Sequence, residues 1–416
     1  MKDEIRKVIE NWEEWVTYQT IIPRPDYYRN VNANFALVYL GARRSGKSFI
    51  AYSNVCQLPQ GENHLYINFE DPFFVLNHDV SILDKCLEVF VEMKSVEPTY
   101  LIFDEIQNID HWERWVRKAI DFKKYKIVLT GSSAKLLSSE LSTTLTGRAI
   151  EKKVWPLSFL EYVTFSKKKM KTENEKVAAL HHYLKWGGFP EAILEKSKTV
   201  KKEILSQYTK DILYKDIVTR YSLRHVPALI QISQFYLRNI SCLISFTKVK
   251  NAFSLNFETV QEYSKYLEDT FLIFFMKRYH PNLKIQNRDP QKVYTIDTGL
   301  RNCHVLSFSE DLGKLAENAV FIELNRRGYT PYYFKETYEV DFIILDDIKP
   351  IQAIQVCYDN MENSETYARE VRALEECMNT LHLDHGLILT KNRLEKLTIG
   401  SKSIQLLPLH RWLGES

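Results

Sequence analysis

The sequence predicts an α/β protein that begins with a parallel sheet covered by helices. Two observations carry this prediction. Four short apolar runs rich in β-forming residues lie at 35–40, 64–69, 99–103 and 126–130, and stretches of helical character separate them. Strands that alternate with helices favour a parallel sheet, because the crossover between two parallel strands is usually a helix.

The first run leads into residues 41–48, which fit the glycine-rich pattern G-x-x-x-x-G-K-[ST]. Gly41 and Gly46 permit backbone angles and close approaches that a Cβ atom would block. Such a loop directs its N–H groups at phosphate oxygens, while Lys47 reaches the β- and γ-phosphates and Ser48 ligates Mg²⁺. The alternative is an ordinary strand–helix turn with a coincidental Lys-Ser pair. The loop predicts that ATP and Mg²⁺ are bound by Gly41, Ala42, Arg43, Arg44, Ser45, Gly46, Lys47, Ser48 and Phe49.

The third run ends in two acids, Asp104 and Glu105. Open α/β sheets hold their ligands at the carboxyl ends of strands, so we expect these acids beside the loop. Asp104 is the candidate that completes the Mg²⁺ site with Ser48, and Glu105 is the candidate general base for an attacking water. Glu105 and Lys47 are therefore candidate catalytic residues, and Glu105 disfavours a small-molecule kinase, which does not need that glutamate. A solvated cap at a strand end is the other explanation of the two acids.

Two further candidates are single residues. Thr130, the last residue of the fourth run, is a candidate sensor of the γ-phosphate, and Ser132, just after that run, is the alternative. A turn-forming role explains these residues as well. Arg148 is a candidate catalytic arginine finger, because a guanidinium spreads the charge of a transferring phosphoryl group. It would act on its own chain or on a neighbouring subunit of a homo-oligomer, and an ordinary solvated or ion-paired arginine is the alternative.

Length and composition restrict the classes of protein to which the chain can belong. The chain has 416 residues, which suffices for two or three domains, and its net charge of +3 is too small to indicate nucleic-acid binding by itself. The first residues lack the apolar core of a signal peptide, and no run approaches the roughly 18 apolar residues of a membrane helix. The six cysteines are scattered without a C-x-x-C pair, which predicts reduced thiols, no zinc site and a cytoplasmic location.

Beyond residue 200 the pattern becomes mainly helical, with two strands near 300. The expected elements are helices at 226–237, 246–253 and 259–271, and strands at 272–279 and 293–296 around a polar loop at 281–291. Three helices and a two-stranded wing outline a winged helix. Acidic residues on the third helix offset the basic ones, so a protein partner and DNA are both open as ligands of this segment.

Taken together, these motifs resemble prokaryotic AAA-type ATPases of the archaeal-ATPase kind, fused to a C-terminal restriction-endonuclease-like domain of uncharacterised function. The segments that carry the resemblance are 41–48, 66–72, 103–107, 129–133, 188–191 and 294–300. The resemblance implies a P-loop NTPase parallel sheet with a helical lid, then a winged helix, then a degenerate nuclease-like α/β domain. The implied boundaries are 1–30 for the leading helix and linker, 31–165 for the ATPase core, 166–205 for the lid, 206–300 for the winged helix and 301–416 for the nuclease-like domain.

The nuclease-like segment is expected to be catalytically inactive. Endonucleases of that fold use a glutamate on a helix, a metal-binding aspartate and a strand with Glu-x-Lys, and Glu317 and Asp341 match the first two. Gln355 and Cys357 stand where the Glu-x-Lys residues are expected, so the second metal ligand and the ammonium are missing. The leading hypothesis is an ATPase whose nucleotide state controls a partner-binding or DNA-binding half. A slow or non-hydrolysing ATP-gated scaffold and an active nuclease are the alternatives.

Overall fold

The computed structural model describes residues 1–55, 63–132, 145, 147–168, 170–305, 312–358 and 364–414. It divides into two compact units, Met1–Val154 and Trp155–Ser416. Among the described residues, no helix is both long enough and apolar enough to cross a membrane.

The first unit is an α/β layer structure around one sheet. Its helices are α1 (Lys2–Thr17), α2 (Lys47–Val55), α3 (Pro72–Leu76), α4 (Ser81–Lys94) and α5 (Trp112–Asp121), with single 3₁₀ turns at Pro25–Tyr27 and Ile106–Asn108. Its strands are β1 (Ala36–Gly41), β2 (His64–Asn68), β3 (Tyr100–Asp104), β4 (Lys126–Ser132) and β5 (Ala149–Lys153).

The five strands are all parallel and lie in the order β2-β3-β4-β1-β5. This confirms the predicted fold class for this part of the chain. Because β4 lies between β1 and β3, the carboxyl ends of these three strands meet at one edge of the sheet. Gly41, Asp104 and Thr130 therefore share that edge.

The degree of burial of each strand explains whether it was predicted from the sequence. Every residue of β1 and β3 is buried, because helices cover both faces of the sheet. Strand β5 was not predicted. It is an edge strand that pairs with β1, and each of its residues is exposed or only partly buried, so it lacks a buried apolar run.

The leading helix α1 is present as predicted and packs on the first unit. Ile5, Val8 and Ile9 are buried in the core of that unit, and Trp12 lies edge-on against Tyr66 with ring centroids 6.0 Å apart. The helix is thus an integral part of the fold rather than a free extension.

The second unit begins with helices. They are α6 (Phe159–Phe165), α7 (Glu173–Trp186), α8 (Pro190–Leu194), α9 (Lys198–Asp211), a π-helical turn (Ile212–Val218) and α10 (Thr219–Tyr221). The next segment comprises α11 (Val226–Arg238), β6 (Cys242–Ile244), α12 (Phe246–Phe253), α13 (Phe257–Asp269), β7 (Ile273–Met276), α14 (Leu283–Arg288), β8 (Gln291–Thr295) and α15 (Thr298–Cys303).

The three strands of that segment form an antiparallel sheet in the order β6-β8-β7. The predicted helices are present, and the structure differs in two details. A third strand, β6, joins the two expected strands, and the expected polar loop at 281–291 contains the helix α14. The winged-helix interpretation of this segment stays a prediction.

The last part of the second unit is built on a six-stranded mixed sheet. Its elements are α16 (Leu312–Arg326), β9 (Tyr332–Lys335), β10 (Glu339–Asp346), β11 (Lys349–Cys357), α17 (Ser364–Thr380), β12 (His385–Thr390), β13 (Glu395–Ile399), β14 (Lys402–Pro408) and α18 (Leu409–Trp412). The strand order is β13-β14-β12-β11-β10-β9. The restriction-endonuclease-like interpretation and the boundaries proposed within residues 155–416 stay predictions.

Candidate nucleotide-binding site

The glycine-rich loop joins β1 to α2 in a tight turn. Gly41 ends β1, and a Cβ atom there would lie 2.3 Å from the carbonyl oxygen of Val154, so no larger residue fits. Gly46 has a φ of +94°, which only glycine adopts readily. The two glycines therefore set the shape of the loop, as the pattern predicted.

Lys47 is the first residue of α2, and its side chain is 4% exposed. Its Nζ donates to the carbonyl oxygens of Gly41 and Ala42 over 3.3 and 3.2 Å and lies 3.9 Å from Glu105 Oε1. These are long contacts for a buried ammonium. The buried Ser45 hydroxyl has no hydrogen-bond partner among the described residues. Both groups suit a loop that accepts phosphate oxygens.

Asp104 is fully buried at the end of β3 and is the centre of a hydrogen-bond network. Thr130 Oγ1 donates to its Oδ1, and the Tyr66 hydroxyl donates to its Oδ2 over 3.0 Å. Burial and the neighbouring Glu105 charge raise the pKa of Asp104 to about 6, while hydrogen bonds from Thr130, Ser48 and Tyr66 oppose that shift. Ser48 and Asp104 thus lie together, and a hydroxyl with a carboxylate is a donor set that suits Mg²⁺.

Glu105 follows Asp104 and has a φ of +53°, in the left-handed region that non-glycine residues seldom adopt. Two contacts hold it there. Its N–H donates to Thr130 Oγ1 over 3.2 Å, and the Gln107 amide donates to its Oε2. With this backbone conformation, the Glu105 carboxylate lies 3.9 Å from Lys47 Nζ.

Thr130 lies at the same edge on β4, as predicted, and its hydroxyl makes two hydrogen bonds there. It is completely buried and connects the Asp104 carboxylate to the Glu105 N–H. The structure therefore shows it positioning the two acids. Its role as a γ-phosphate sensor stays a prediction, as does that of Ser132, the alternative candidate.

Arg148 is far from the loop. It precedes β5, and its carbonyl oxygen accepts from the N–H of Ala36, the first residue of β1. Its side chain is paired with Asp121 over 2.7 Å. The amino end of β1 is separated from Gly41 by about 17 Å of strand. An arginine finger acting on the same chain is therefore wrong, because the residue lies at the opposite edge of the sheet. Action on a neighbouring subunit stays a prediction.

The remaining loop residues differ in their surroundings. Arg43 forms an ion pair with Glu70 over 2.7 Å, and although burial acts to raise the pKa of Glu70, the Arg43 bond and charge lower it overall. Arg44 is exposed with a φ of +68°. Phe49 is 39% exposed and packs on Trp15 with ring centroids 5.6 Å apart. Their predicted contacts with nucleotide stay predictions.

Arg24 is a site residue that sequence reasoning missed. It lies in the expected linker but is only 4% exposed, and its Nη1 donates to the carbonyl oxygen of Ser45 over 3.0 Å. Its guanidinium lies 4.5 Å from the ring centroid of Tyr27. Arg24 therefore fixes the backbone of the glycine-rich loop from outside. The only signal in the sequence was an arginine between Pro23 and Pro25, where φ is restricted.

A second polar cluster, the carboxylate cluster, lies in the second unit. Lys292 of β8 is 2% exposed, and its Nζ lies 2.8 Å from Asp341, 2.9 Å from Glu339 and 3.0 Å from Glu317. The Tyr294 hydroxyl also donates to Glu317, over 2.6 Å. The predicted pair Glu317 and Asp341 is thus brought together, but around an ammonium from outside the predicted nuclease-like segment.

Gln355 does not face an open metal site. Its Oε1 accepts the N–H of Asp341 over 3.0 Å, and its Nε2 donates to Glu370 over 2.6 Å. Cys357 is buried in the apolar core beside it. Across the described residues, no group of three or more His, Cys, Asp or Glu side chains is arranged to hold a metal ion. The geometry supports a closed ionic cluster.

Three sequence families match this chain. A family described as an AAA domain matches residues 33–163, and domains of unknown function, DUF8612 and DUF4143, match residues 177–312 and 312–412. The first match covers the five-stranded sheet and the three strand ends described above. It shows that residues 33–163 are an AAA-type domain, a class of nucleotide-binding domain.

Two relatives match over most of their length. The uncharacterized protein MJ1544 of Methanocaldococcus jannaschii is 34% identical over 397 residues, which are 90% of this chain and 87% of that protein. An uncharacterized protein of Haemophilus influenzae is 31% identical over 361 residues, which are 83% of this chain and 89% of that protein.

Two solved structures are similar to this chain at low sequence identity. A structure of Aeropyrum pernix Orc1 in complex with DNA is 12% identical, covering 75% of this chain and 92% of that one, with a TM-score of 0.30. Cdc6p from Pyrobaculum aerophilum is 11% identical, covering 64% and 86%, with a TM-score of 0.29. At these values the likeness does not extend to what those proteins bind.

Proposed function

The chain belongs to the family of AAA-domain proteins that includes MJ1544 of Methanocaldococcus jannaschii, and we propose that it is a Mg²⁺-dependent ATPase. One observation supports this proposal most strongly. Ser48, Asp104 and the Glu105–Lys47 pair, which lie far apart in the sequence, converge at one edge of the sheet beside the glycine-rich loop.

The loop residues would hold the triphosphate. Its backbone N–H groups and the amino end of α2 present positive partial charge to anionic oxygens. Lys47 would exchange its long contacts with the carbonyl oxygens of Gly41 and Ala42 for charge-assisted bonds to phosphate. Arg24 keeps the Ser45 carbonyl in place, so that the loop does not need to reorganise when it binds.

The two acids would have separate roles, in metal binding and in activation of the attacking water. Ser48 and Asp104 would hold Mg²⁺, which neutralises charge on the phosphates when it is bound. Glu105 would accept a proton from the attacking water, and the Thr130 hydroxyl and the Gln107 amide fix its position. Because Glu105 is only 8% exposed, little bulk water competes for its carboxylate.

The second unit would respond to the nucleotide. We propose that ATP binding and hydrolysis control a partner-binding or DNA-binding surface of residues 206–416, since γ-phosphate contacts commonly order nearby segments and hydrolysis releases them. Lys265 is the one lysine of α13. It forms ion pairs with Glu268 and Asp269, which neutralise its positive charge. This pairing favours a protein partner over DNA for α13.

A slow ATPase, or an ATP-gated scaffold, is favoured by one contact. The Gln107 amide donates to Glu105 Oε2 and so occupies part of the carboxylate that the water requires. A nuclease is disfavoured, because the ammonium of Lys292 fills the space between Glu317 and Asp341 where a divalent cation would bind.

The test is the substitution Glu105→Gln. The amide has the same shape but cannot accept the proton, so we expect unchanged ATP affinity and a loss of turnover of about 10²–10⁴-fold. Phosphate release and calorimetric ATP binding measure the two quantities. Gln107→Ala is the companion variant, and a higher turnover there would support the slow-ATPase mechanism. Wild-type turnover in Glu105→Gln would refute Glu105 as the base.

A further inference from the structure

A cluster of lysines lies near the start of the second unit. The lysine cluster consists of Lys168, Lys185, Lys198 and Lys201 around the rings of Tyr162, His182 and Trp186. Lys168 follows α6, Lys185 is near the end of α7, and Lys198 and Lys201 are in the first turn of α9.

Aromatic rings form the floor of the lysine cluster. The Tyr162 ring stacks on His182 with centroids 5.9 Å apart, and the Tyr162 hydroxyl lies 2.8 Å from His182 Nδ1. Lys168 Nζ lies 5.4 Å from the Tyr162 centroid, and Lys201 Nζ lies 5.8 Å from the Trp186 centroid. The ammonium groups of Lys168 and Lys201 thus lie against aromatic rings, where packing and cation–π contacts hold them.

Lys201 is the most constrained member. Its side chain is buried, with the residue 5% exposed, and its Nζ makes a 3.4 Å contact with the carbonyl oxygen of Ile193. Within the described part of the chain, neither Lys168, Lys198 nor Lys201 forms an ion pair. Glu195 is the acid whose charge acts on Lys201, but its carboxylate accepts the N–H groups of Lys196 and Ser197.

Electrostatics show that these cations act on one another. Burial lowers the pKa of Lys168, and the charge of Lys201 lowers it further. Burial, followed by the charges of Lys168, Lys201, Lys185 and Lys198, lowers the pKa of His182 to about 4, so the ring is neutral at physiological pH. Lysines in the first turn of α9 also face the positive end of the helix dipole. A bound anion would relieve both repulsions.

We propose that the lysine cluster is a binding site for the phosphate backbone of a nucleic acid. A repeating polyanion fits better than a single anion, because exposed lysines extend the cluster along two segments of chain. These flanking residues are Lys167, Lys171, Lys196 and Lys202. The inference does not depend on ATP hydrolysis, and its failure would leave the proposed nucleotide site unaffected.

The experiment measures the binding of a fluorescein-labelled 20-nucleotide single strand to the full chain by anisotropy over a salt series. The double variant Lys168→Gln/Lys198→Gln removes two cluster charges. Lys349→Gln/Lys396→Gln is the matched control, because both residues are exposed lysines on strands of the mixed sheet and the net charge change is the same.

Two lost phosphate contacts should reduce the slope of log K against log salt by about 1.4, which is about 25-fold in affinity at 0.1 M salt. We expect this loss in the cluster variant and less than about twofold in the control. ATP affinity should be unchanged in both variants.

Three results would overturn the proposal. They are no binding of the strand by the wild-type chain, an equal loss in the two double variants, and displacement of the strand by millimolar inorganic phosphate at matched ionic strength. The last would show a site for small anions only. Retained binding at equal ionic strength with phosphate present would support a nucleic-acid backbone as the ligand.

Discussion

Replacing Thr130 by valine removes one hydroxyl on which both acids of the nucleotide site depend. Thr130 Oγ1 donates to the Asp104 carboxylate and accepts the N–H of Glu105, and the residue is completely buried. Valine has the same shape, so the packing around β4 is retained. The substitution therefore isolates the contribution of the two hydrogen bonds.

The expected destabilisation follows from the two groups that lose a hydrogen bond, the Asp104 carboxylate and the Glu105 N–H. Losing a hydrogen bond to a charged group costs about 1.5–3 kcal/mol, and an unsatisfied buried N–H costs about 1–3 kcal/mol. Asp104 keeps its bonds from Tyr66 and Ser48, so the lower part of each range applies. We expect a destabilisation of about 3 kcal/mol, which is about 6–12 °C in the melting temperature of a unit of this size.

The effect at β3 is measured by hydrogen exchange with mass spectrometry, on peptides that cover residues 99–107. The first thermal transition of the chain is measured in the same variants. Protection in these peptides should fall by about 100-fold, since 1.4 kcal/mol is tenfold in an opening equilibrium. Thr130→Ser is the control, because it keeps the hydroxyl and loses only a methyl group. If valine and serine differ by less than about 0.5 kcal/mol, the hydroxyl does not hold the two acids.

Three further predictions concern other parts of the chain. Arg24→Met should weaken ATP binding by about tenfold with the fold intact, and calorimetric affinity within twofold of wild type would contradict this. Burial and the Asp341 charge raise the pKa of Glu317 to about 8, so the folded chain binds more protons than the unfolded chain between about pH 5 and 8. The free energy of unfolding should therefore fall as pH rises through that window, and urea titrations should show a flatter dependence in Glu317→Gln; parallel curves would refute it. Arg148→Ala should lower turnover only at concentrations where the chain self-associates, and a dilution series of ATPase rates checks this; equal losses at all dilutions would contradict action between subunits.

The nucleotide site was predictable because its signals are local. Residues 41–48 carry glycines, a lysine and a serine at fixed spacing, and Asp104 and Glu105 end a run of buried apolar residues. A parallel sheet places strand ends at one edge, so local patterns were enough to bring the two motifs together. The left-handed backbone of Glu105 and its contact with Gln107 were not predictable, since neither residue type demands them.

The missed residues depend on contacts between distant parts of the chain. Arg24 contacts the loop from a segment read as a linker, and Lys292 meets acids that lie 25 to 49 positions further on. A lone arginine or lysine is usually solvated, so periodicity gave no reason to bury either one. The position of Arg148 was also not predictable from the sequence pattern. It is set by β5, a polar edge strand, and it excludes the role of an arginine finger on the same chain.

The binding of ATP with Mg²⁺ to the full chain, measured by calorimetry for wild type and Lys47→Ala, tests the central claim most directly. We predict one site per wild-type chain and an affinity at least about tenfold weaker in Lys47→Ala, because the ammonium that contacts phosphate is gone. No measurable binding by the wild-type chain, or equal affinities in the two proteins, would show that the loop at 41–48 is not a nucleotide site.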